Sequence, residues 1–145
     1  MPGRLVVLSG PSGVGKTTVG KALLKSRRRL VRSVSATTRP QRKGERPGRD
    51  YHFMTEKAFA ALLKKKGFLE HADVYGRRYG TPKAPVMQAL RAGKDVLLVI
   101  DVQGAAIVRK SYPQALLVFL APPGWGEQER RLKGRGTEDA SGLKR

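Results

Sequence analysis

The sequence predicts an α/β fold with a mainly parallel β-sheet flanked by helices, and three observations lead to this prediction. Short apolar runs typical of strands alternate with stretches of helical periodicity along the chain. A glycine-rich segment at 10–17 joins the first apolar run to the first helical stretch. The most continuous apolar run, at 96–100, is typical of a central strand that is buried on both faces.

The first elements are predicted from a run of large aliphatic residues and the pattern after it. Residues 4–9 contain Leu-Val-Val-Leu and are predicted to form the first strand. Helix formers with apolar residues on one face follow the glycine-rich segment and predict a helix over 18–25. A second strand is predicted at 31–35.

The middle of the chain is more polar and is predicted to hold shorter elements. Residues 37–50 are rich in Pro, Gly and Arg, which predicts a loop. A short strand is expected at 51–54, and the threonine at 55 can cap a helix that extends to about residue 66. Strand segments at 68–75 and 78–80 follow.

The last third of the chain returns to alternating helices and strands. A helix is predicted over 82–92, where a glycine follows, and a buried strand is predicted over 95–100. Further elements are a helix at 104–110, a strand at 116–120 and a helix at 127–133.

Composition restricts the class of protein. The 145 residues fit one domain, and the absence of cysteine excludes disulfides and thiolate metal sites. No apolar run approaches the roughly 20 residues of a membrane span, and no signal-peptide pattern precedes the first strand. A cytoplasmic location without a membrane partner is therefore expected.

The formal net charge of +19 has three interpretations. The cations can form a solvated surface, attract anionic nucleotides into a cleft, or bind nucleic acid. Ten Lys and Arg accompany one acid, Glu45, between Lys25 and Arg49. Helix-turn-helix, RNP and zinc signatures are missing and aromatic residues are 6% of the chain, so a nucleic-acid partner is not expected.

The segment 10–17 matches the phosphate-binding pattern G-x-x-x-x-G-K-[ST], the P-loop. A glycine-rich turn before a surface helix is the alternative, but the preceding strand and the following helix are the setting that a P-loop requires. The lysine of the pattern would reach the β- and γ-phosphates, and the threonine hydroxyl would hold Mg²⁺. The predicted ATP-binding residues are Gly10, Pro11, Ser12, Gly13, Val14, Gly15, Lys16 and Thr17.

The chain is predicted to be one domain, 1–145, with an insert in its P-loop core. The core is expected at about 1–32 and 82–124, the insert at about 33–81, and part of a lid at about 125–145. A P-loop core with a polar, arginine-bearing insert is the layout of a kinase for a small phosphorylated acceptor.

Two arginines and two tyrosines of the insert are candidate phosphate ligands. Arg39 and Arg42 lie three residues apart in the loop, and guanidinium groups match phosphate oxygens bidentately. Tyr51 and Tyr79 each offer a phenolic donor. A solvated basic loop and ordinary half-buried tyrosines are the alternatives.

Ser35 and Glu70 are candidates for recognition of a base. Guanine presents N1–H and N2–H₂ as adjacent donors that suit one carboxylate, and its O6 accepts from a hydroxyl. Adenine has an acceptor at N1, which a carboxylate disfavours. A site of this kind rejects the wrong base because a mismatch leaves buried polar groups unpaired.

The same residues belong to a set of motifs that resembles guanylate kinase in order and spacing. The motifs lie at 9–17, 33–39, 48–53, 67–72, 79–82 and 100–104. The resemblance covers the chain to about Thr137. It implies the reaction ATP + GMP ⇌ ADP + GDP with Mg²⁺, and ATP and GMP or dGMP as substrates.

The resemblance also implies roles by position. The GMP phosphate would be bound by Arg39, Arg42, Tyr51 and Tyr79. The guanine end would be surrounded or ordered by Ser35, Glu70, Thr81 and Asp101. Arg131 and Arg135 would belong to a lid, so the expected catalytic residues are Lys16, Arg39, Arg42, Arg131 and Arg135. The Mg²⁺ ligand would be Thr17.

Three features depart from the family pattern. The chain ends at Arg145 within the expected lid, Val99 replaces an acid, and Gly124 and Gly126 flank Trp125 where a helix should begin. These features leave open a catalytically impaired or truncated module that binds nucleotides or peptides. A P-loop kinase for another acceptor, such as a ribose bisphosphate, is a further alternative. The intact P-loop favours ATP binding, and Ser35 with Glu70 favours guanine.

Overall fold

The computed structural model describes residues 1–11 and 13–122. Helices within these residues are α1 (Lys16–Ser26), α2 (Glu56–Lys64), α3 (Lys83–Arg91) and α4 (Val102–Ser111). Strands are β1 (Leu5–Ser9), β2 (Leu30–Arg32), β3 (Ala36–Thr37), β4 (His52–Phe53), β5 (Phe68–Val74), β6 (Arg77–Pro82), β7 (Asp95–Val99) and β8 (Leu116–Phe119). None of the four helices is both long and apolar enough to span a bilayer.

The strands form two sheets of four strands each. The first has the order β2-β7-β1-β8, and its three pairings are all parallel. The second has the order β4-β3-β6-β5 and combines a parallel β3–β4 pair with antiparallel β3–β6 and β5–β6 pairs. All four strands of the second sheet come from residues 36–82.

The parallel sheet is covered on both faces, which explains the continuous apolar run in β7. Val96 and Leu98 pack with residues of α3 and α4 in one core cluster, whereas Leu97 belongs to the cluster that contacts α1. All three side chains are buried. Alternate residues of the strand therefore enter opposite cores, and each of them needs an apolar side chain.

A smaller core supports the second sheet. Phe59 of α2 stacks on Phe68 of β5 with 4.4 Å between ring centroids, and both are buried with Ala36. Thr55 caps α2 by accepting a hydrogen bond from the Ala58 amide at 3.0 Å. The amphipathic pattern and the threonine cap thus fix α2 against the sheet as the sequence predicts.

The predicted α/β fold with a parallel, helix-flanked sheet is confirmed, but the strand predicted at 31–35 is wrong in its extent. β2 ends at Arg32, and β3 begins at Ala36 in the other sheet. The backbone changes partners here: β2 pairs with β7, whereas Ala36 pairs with His52 and Gly80. One run of small and β-branched residues therefore supplies two strands of different sheets.

Other boundaries also differ from the predictions: α1 begins at Lys16 rather than at residue 18, and β6 covers Arg77–Pro82 rather than 78–80. Thr37, expected in the loop at 37–50, belongs to β3. The helix expected from residue 104 begins at Val102, because the Asp101 carboxylate caps it by accepting from the Gly104 amide at 2.7 Å. The helix predicted at 127–133 lies outside the described residues.

Candidate functional site

The glycine-rich segment turns tightly at the carboxyl end of β1. Gly13 and Gly15 have φ angles of 82° and 100°, which side chains rarely tolerate. Gly15 is the N-cap residue of α1. At Gly10, a Cβ atom would lie 2.6 Å from the Leu120 carbonyl oxygen, so only glycine fits beside the chain that leaves β8. The positive end of the α1 dipole is thereby directed at the loop.

Lys16 lies in the first turn of α1 and is partly buried. Its Nζ donates a hydrogen bond to the Gly10 carbonyl oxygen at 2.7 Å, which places the ammonium group within the loop. Burial lowers the pKa of Lys16, and the negative charge of Asp101 opposes this effect. The Lys16 ammonium group is therefore partly desolvated, which favours its interaction with an anion.

A cavity of about 250 Å³ brings the P-loop together with the second sheet. Thr17 of α1 lines it together with Ser35, Tyr51 and Thr81 from the predicted insert. Its remaining lining residues are Gly20, Lys21, Leu24, Arg32, Ser33, Asp50, Leu98, Val99 and Ile100. One concave surface thus contains a predicted donor-site residue and three predicted acceptor-site residues.

Glu70 is a buried carboxylate next to this cavity. It is 9% exposed, and its Oε1 accepts a hydrogen bond from the Thr81 hydroxyl at 2.7 Å. Burial is the main cause that raises the pKa of Glu70, and nearby Asp101 raises it further, whereas Thr81 and His71 act in the opposite direction. A buried acceptor with a perturbed pKa beside a cavity is typical of a binding site.

Gly104 allows two carboxylates to approach the beginning of α4. A Cβ atom at this position would lie 3.1 Å from Glu70 Oε2 and 3.2 Å from Asp101 Oδ1. Asp101 is itself exposed, and one of its oxygens is used to cap α4. Asp101 therefore orders the helix that flanks Glu70.

Arg39 is held in a fixed orientation by Glu45. Its Nη1 and Nη2 donate to the two Glu45 carboxylate oxygens at 3.0 and 2.8 Å, and its guanidinium lies 5.1 Å from the centre of the Tyr51 ring. The hydrogen bonds that Arg39 donates to Glu45 raise the pKa of Arg39, so this group stays charged. Glu45 also accepts from the Arg42 amide at 2.8 Å and so fixes the turn between the two arginines.

A second, more open cavity of about 460 Å³ lies beside Arg39. Arg42 and Tyr79 line it together with Arg39 and Arg77. Tyr79 connects it to the first cavity, since its ring centroid is 6.1 Å from that of Tyr51. The predicted phosphate ligands therefore form one connected group, although Tyr51 lines the first cavity and Arg39, Arg42 and Tyr79 line the second.

Several residues of the site are not predicted from the sequence, and three predicted residues lie outside the part of the chain that the structure describes. Glu45 is the single acid in a basic stretch of the sequence, and an acid among so many cations is the signal that indicates an arginine partner. Lys21, Arg32 and Asp50 line the first cavity without any motif that identifies them. The predicted ligands Ser12, Arg131 and Arg135 are not among the described residues.

Comparisons with known proteins agree with these motifs. A family model described as guanylate kinase matches residues 2–145. A guanylate kinase of Thermobifida fusca is 53% identical over 99% of this chain and 74% of its own length. One from Nocardia farcinica is 55% identical over 94% of this chain and 72% of its own. The crystal structure of guanylate kinase from Anaplasma phagocytophilum has a TM-score of 0.70 and 38% identity, covering 93% of this chain and 69% of that one.

The burial of Glu70 has a measurable effect on stability. Because its pKa is raised in the folded state, the folded protein holds more protons than the unfolded chain between the two pKa values, and the free energy of unfolding falls as the pH rises through this interval. Glu70→Gln removes the titration and keeps an acceptor for Thr81. We expect the stability of the variant relative to the parent to increase from about pH 4 to about pH 7, measured by chemical denaturation.

Asp73→Asn is the matched control, since it removes an exposed carboxylate from the same strand, β5. The raised pKa would be contradicted if the free energy of unfolding of Glu70→Gln, relative to that of the parent, stayed constant with pH or decreased toward neutral pH.

Proposed function

Because the chain belongs to the guanylate kinase family, we propose that it transfers the γ-phosphoryl group of ATP to GMP or dGMP. ADP and GDP or dGDP are the products. One observation carries the proposal: the cavity of about 250 Å³ is lined both by Thr17 after the P-loop and by Ser35, Tyr51 and Thr81. A donor phosphate and an acceptor nucleotide would then meet within a single concave surface.

The donor side is formed by the loop between β1 and α1. Its amides and the amino end of α1 bind the phosphates of ATP, and the ammonium of Lys16 neutralises their charge. Lys16 leaves its contact with the Gly10 carbonyl for the β- and γ-phosphates. The partial burial that lowers its pKa strengthens this attraction, because less water competes with the phosphate.

Mg²⁺ is the expected metal, and Thr17 is the residue that would hold it. No group of three or more His, Cys, Asp or Glu side chains able to hold a metal occurs within 1–11 and 13–122. Thr17 lines the cavity of about 250 Å³, and its hydroxyl is an oxygen donor of the kind that Mg²⁺ prefers, with substrate phosphates and waters as the other ligands. When bound, the ion neutralises charge on the transferred phosphoryl group.

The acceptor phosphate is bound by Arg39 and Arg42 with the hydroxyls of Tyr51 and Tyr79. Glu45 holds the Arg39 guanidinium over the Tyr51 ring, so the group has lost much of its freedom before GMP arrives. Guanidinium donors and two phenolic donors suit the three oxygens of a monophosphate.

The guanine base is read by Glu70, with Ser35 and Thr81 beside it. The ionised Glu70 carboxylate accepts from the guanine N1–H and N2–H₂ groups, and hydrogen bonding to the ionised form opposes the effect of burial. Thr81 orients the carboxylate through its 2.7 Å hydrogen bond. Asp101 orders this end of the site by capping α4.

The reaction requires positioning and charge neutralisation rather than a strong base. The attacking oxygen belongs to the GMP phosphate, which is already anionic near neutral pH. Repulsion between this phosphate and ATP is offset by Lys16, Arg39 and Arg42. Arg131 and Arg135, which lie outside the described residues, are proposed to add positive charge from a lid when the substrates close the cleft.

The two sheets divide these tasks. We assign ATP to the core, proposed at about 1–32 and 82–124, and GMP to the insert at about 33–81. The four strands of the second sheet and α2 lie within or at the border of this insert.

The proposal is tested by measuring ADP release with ATP, Mg²⁺ and each of GMP, AMP, CMP and UMP as acceptor. Turnover with GMP that exceeds turnover with AMP by about 10³-fold or more supports the assignment, since a mismatched base leaves Glu70 and its neighbours unpaired. Equal use of AMP, or ATP binding without turnover of any acceptor, would contradict it. The last result would instead identify a nucleotide-binding module.

Lys16→Ala tests the donor site. We expect kcat to fall by about 10²–10³-fold or more, because the main positive side chain of the loop is lost. Circular dichroism and thermal melting should show that the fold persists. Lys25→Ala, which removes an exposed lysine near the other end of the same helix, should leave kcat unchanged. Retained activity in Lys16→Ala would refute the role assigned to this lysine.

Glu70→Gln tests base recognition. The amide places a donor where guanine also presents donors, so the KM for GMP should rise by roughly 10–100-fold, equivalent to a charged hydrogen bond of about 1.5–3 kcal/mol. The KM for ATP should change by less than about threefold. A GMP KM equal to that of the parent would refute the role of Glu70.

A further inference from the structure

Basic residues that are far apart in the sequence lie together at one edge of the parallel sheet. In a parallel sheet the strands begin on the same side, and the helices that precede them end there. The basic edge, as we define it, consists of Arg4, Lys25, Arg27, Arg28, Arg29, Arg91, Lys94, Arg109 and Lys110. These nine cations come from four separate segments of the chain.

Hydrogen bonds show that three of the four segments adjoin one another. The Arg29 guanidinium donates to the Gly93 carbonyl oxygen, and the Asp95 amide donates to the Arg29 carbonyl at 2.9 Å. The Arg4 amide donates to the Asp95 carboxylate at 2.7 Å. The residues that precede β2, β7 and β1 therefore form a continuous row.

The cations of this row are exposed and are not neutralised by ion pairs. All nine are exposed to solvent. In the part of the chain that the structure describes, the ion pairs are those of Arg39 with Glu45 and of Arg78 with Glu56 and Asp73. Asp95 is the one acid in the four segments. The edge therefore has a strong positive potential.

The basic edge lies opposite the proposed catalytic cleft. The P-loop follows the carboxyl end of β1, whereas the edge lies at the amino ends of the strands, about 16 Å away along a strand of five residues. Its cations are therefore too distant to contact a nucleotide in the cleft, and they need a different explanation.

We infer that the basic edge binds the phosphate backbone of a nucleic acid without regard to base sequence. The four strands of the sheet span about 14 Å at a spacing of about 4.8 Å, and a duplex carries about eight phosphate charges over that length. Six of the nine cations are arginines, whose planar donors match phosphate oxygens. The sequence alone did not lead to this inference, because the edge exists only in the folded chain.

The composition of the edge favours nucleic acid over a membrane and over base-specific recognition. Among the described residues, Met1, Ile107 and Leu116 are exposed large apolar side chains near it, and these come from three separate segments rather than from the apolar face of one membrane-bound helix. Tyr112, the nearest tyrosine, is half-buried against the core and is not available to stack on bases.

The test is fluorescence anisotropy with a labelled DNA duplex of about 20 base pairs at several salt concentrations. We expect a Kd of about 1–100 μM near 0.1 M salt. Arg27→Gln/Arg28→Gln should weaken binding by about fivefold or more and reduce the slope of log K against log salt by about 1.8. Arg91→Gln/Lys94→Gln, in a different segment, should act in the same way, and thermal melting will show that both variants fold.

The matched control is Lys64→Gln/Lys65→Gln, which removes two exposed charges at the end of α2, away from the basic edge. Its Kd should change by less than about twofold. An equal loss in the control would overturn the inference, because it would show attraction by net charge alone. Failure to bind the duplex would overturn it as well.

Two further measurements separate the edge from other sites. Saturating ATP and GMP should leave duplex binding unchanged, and competition would place the duplex in the cleft and refute the inference. Vesicles containing about 30% phosphatidylserine should bind more weakly than the duplex. Stronger vesicle binding that both edge variants abolish would assign the edge to an anionic membrane instead. Neither measurement depends on whether the chain phosphorylates GMP.

Discussion

The pairing of β1 between β7 and β8 is the constraint on which the candidate site depends. Leu8 pairs with Val99, and Ser9 pairs with Phe119, so the carboxyl ends of the three strands are level. The P-loop leaves β1 at this point and Asp101 follows β7, which explains how a carboxylate 85 positions beyond Lys16 influences the pKa of that lysine. On the β8 side of the P-loop, Gly10 packs closely against the Leu120 carbonyl. The loop is thus shaped by neighbouring strands as much as by its own glycines.

The second sheet is joined to this framework at β5, where Leu69 packs in the main core cluster and the Ser111 hydroxyl of α4 donates to the Leu69 carbonyl oxygen at 3.3 Å. The Thr81–Glu70 hydrogen bond links β6 with β5, and Gly104 brings the beginning of α4 against the same carboxylate. Aromatic packing of Phe59 on Phe68 supports the sheet from the other side. A buried carboxylate is costly without partners, and the nearby Asp101 adds to that cost. This cost to stability is of the kind found at binding sites, in agreement with the role proposed for Glu70.

The sequence predicted most of the fold because local patterns and burial agree in the core. The run in β7, the capped helix α2 and the glycines of the P-loop each have one physical explanation, and the structure agrees with them. The prediction was wrong at 31–35 because strand propensity does not reveal which partner a strand chooses. The role of Asp101 is also not decided by the sequence, since a carboxylate that follows a strand can bind a ligand or cap the next helix. The pairing of Glu45 with Arg39 depends on the path of a loop that periodicity does not describe.

The Glu45–Arg39 pair also bears on how a phosphate is received. A guanidinium on a free side chain samples many rotamers, and ordering it on binding reduces affinity. Here the carboxylate already holds the guanidinium near the Tyr51 ring, so a phosphate bound as we propose would meet a group that is ordered in advance. At the proposed phosphate site the same carboxylate would also lie close to the bound anion, and its repulsion would oppose tight binding of the phosphate. A kinase must release its product in every cycle, and a guanidinium that is already ordered and partly neutralised would suit that requirement at the proposed phosphate site.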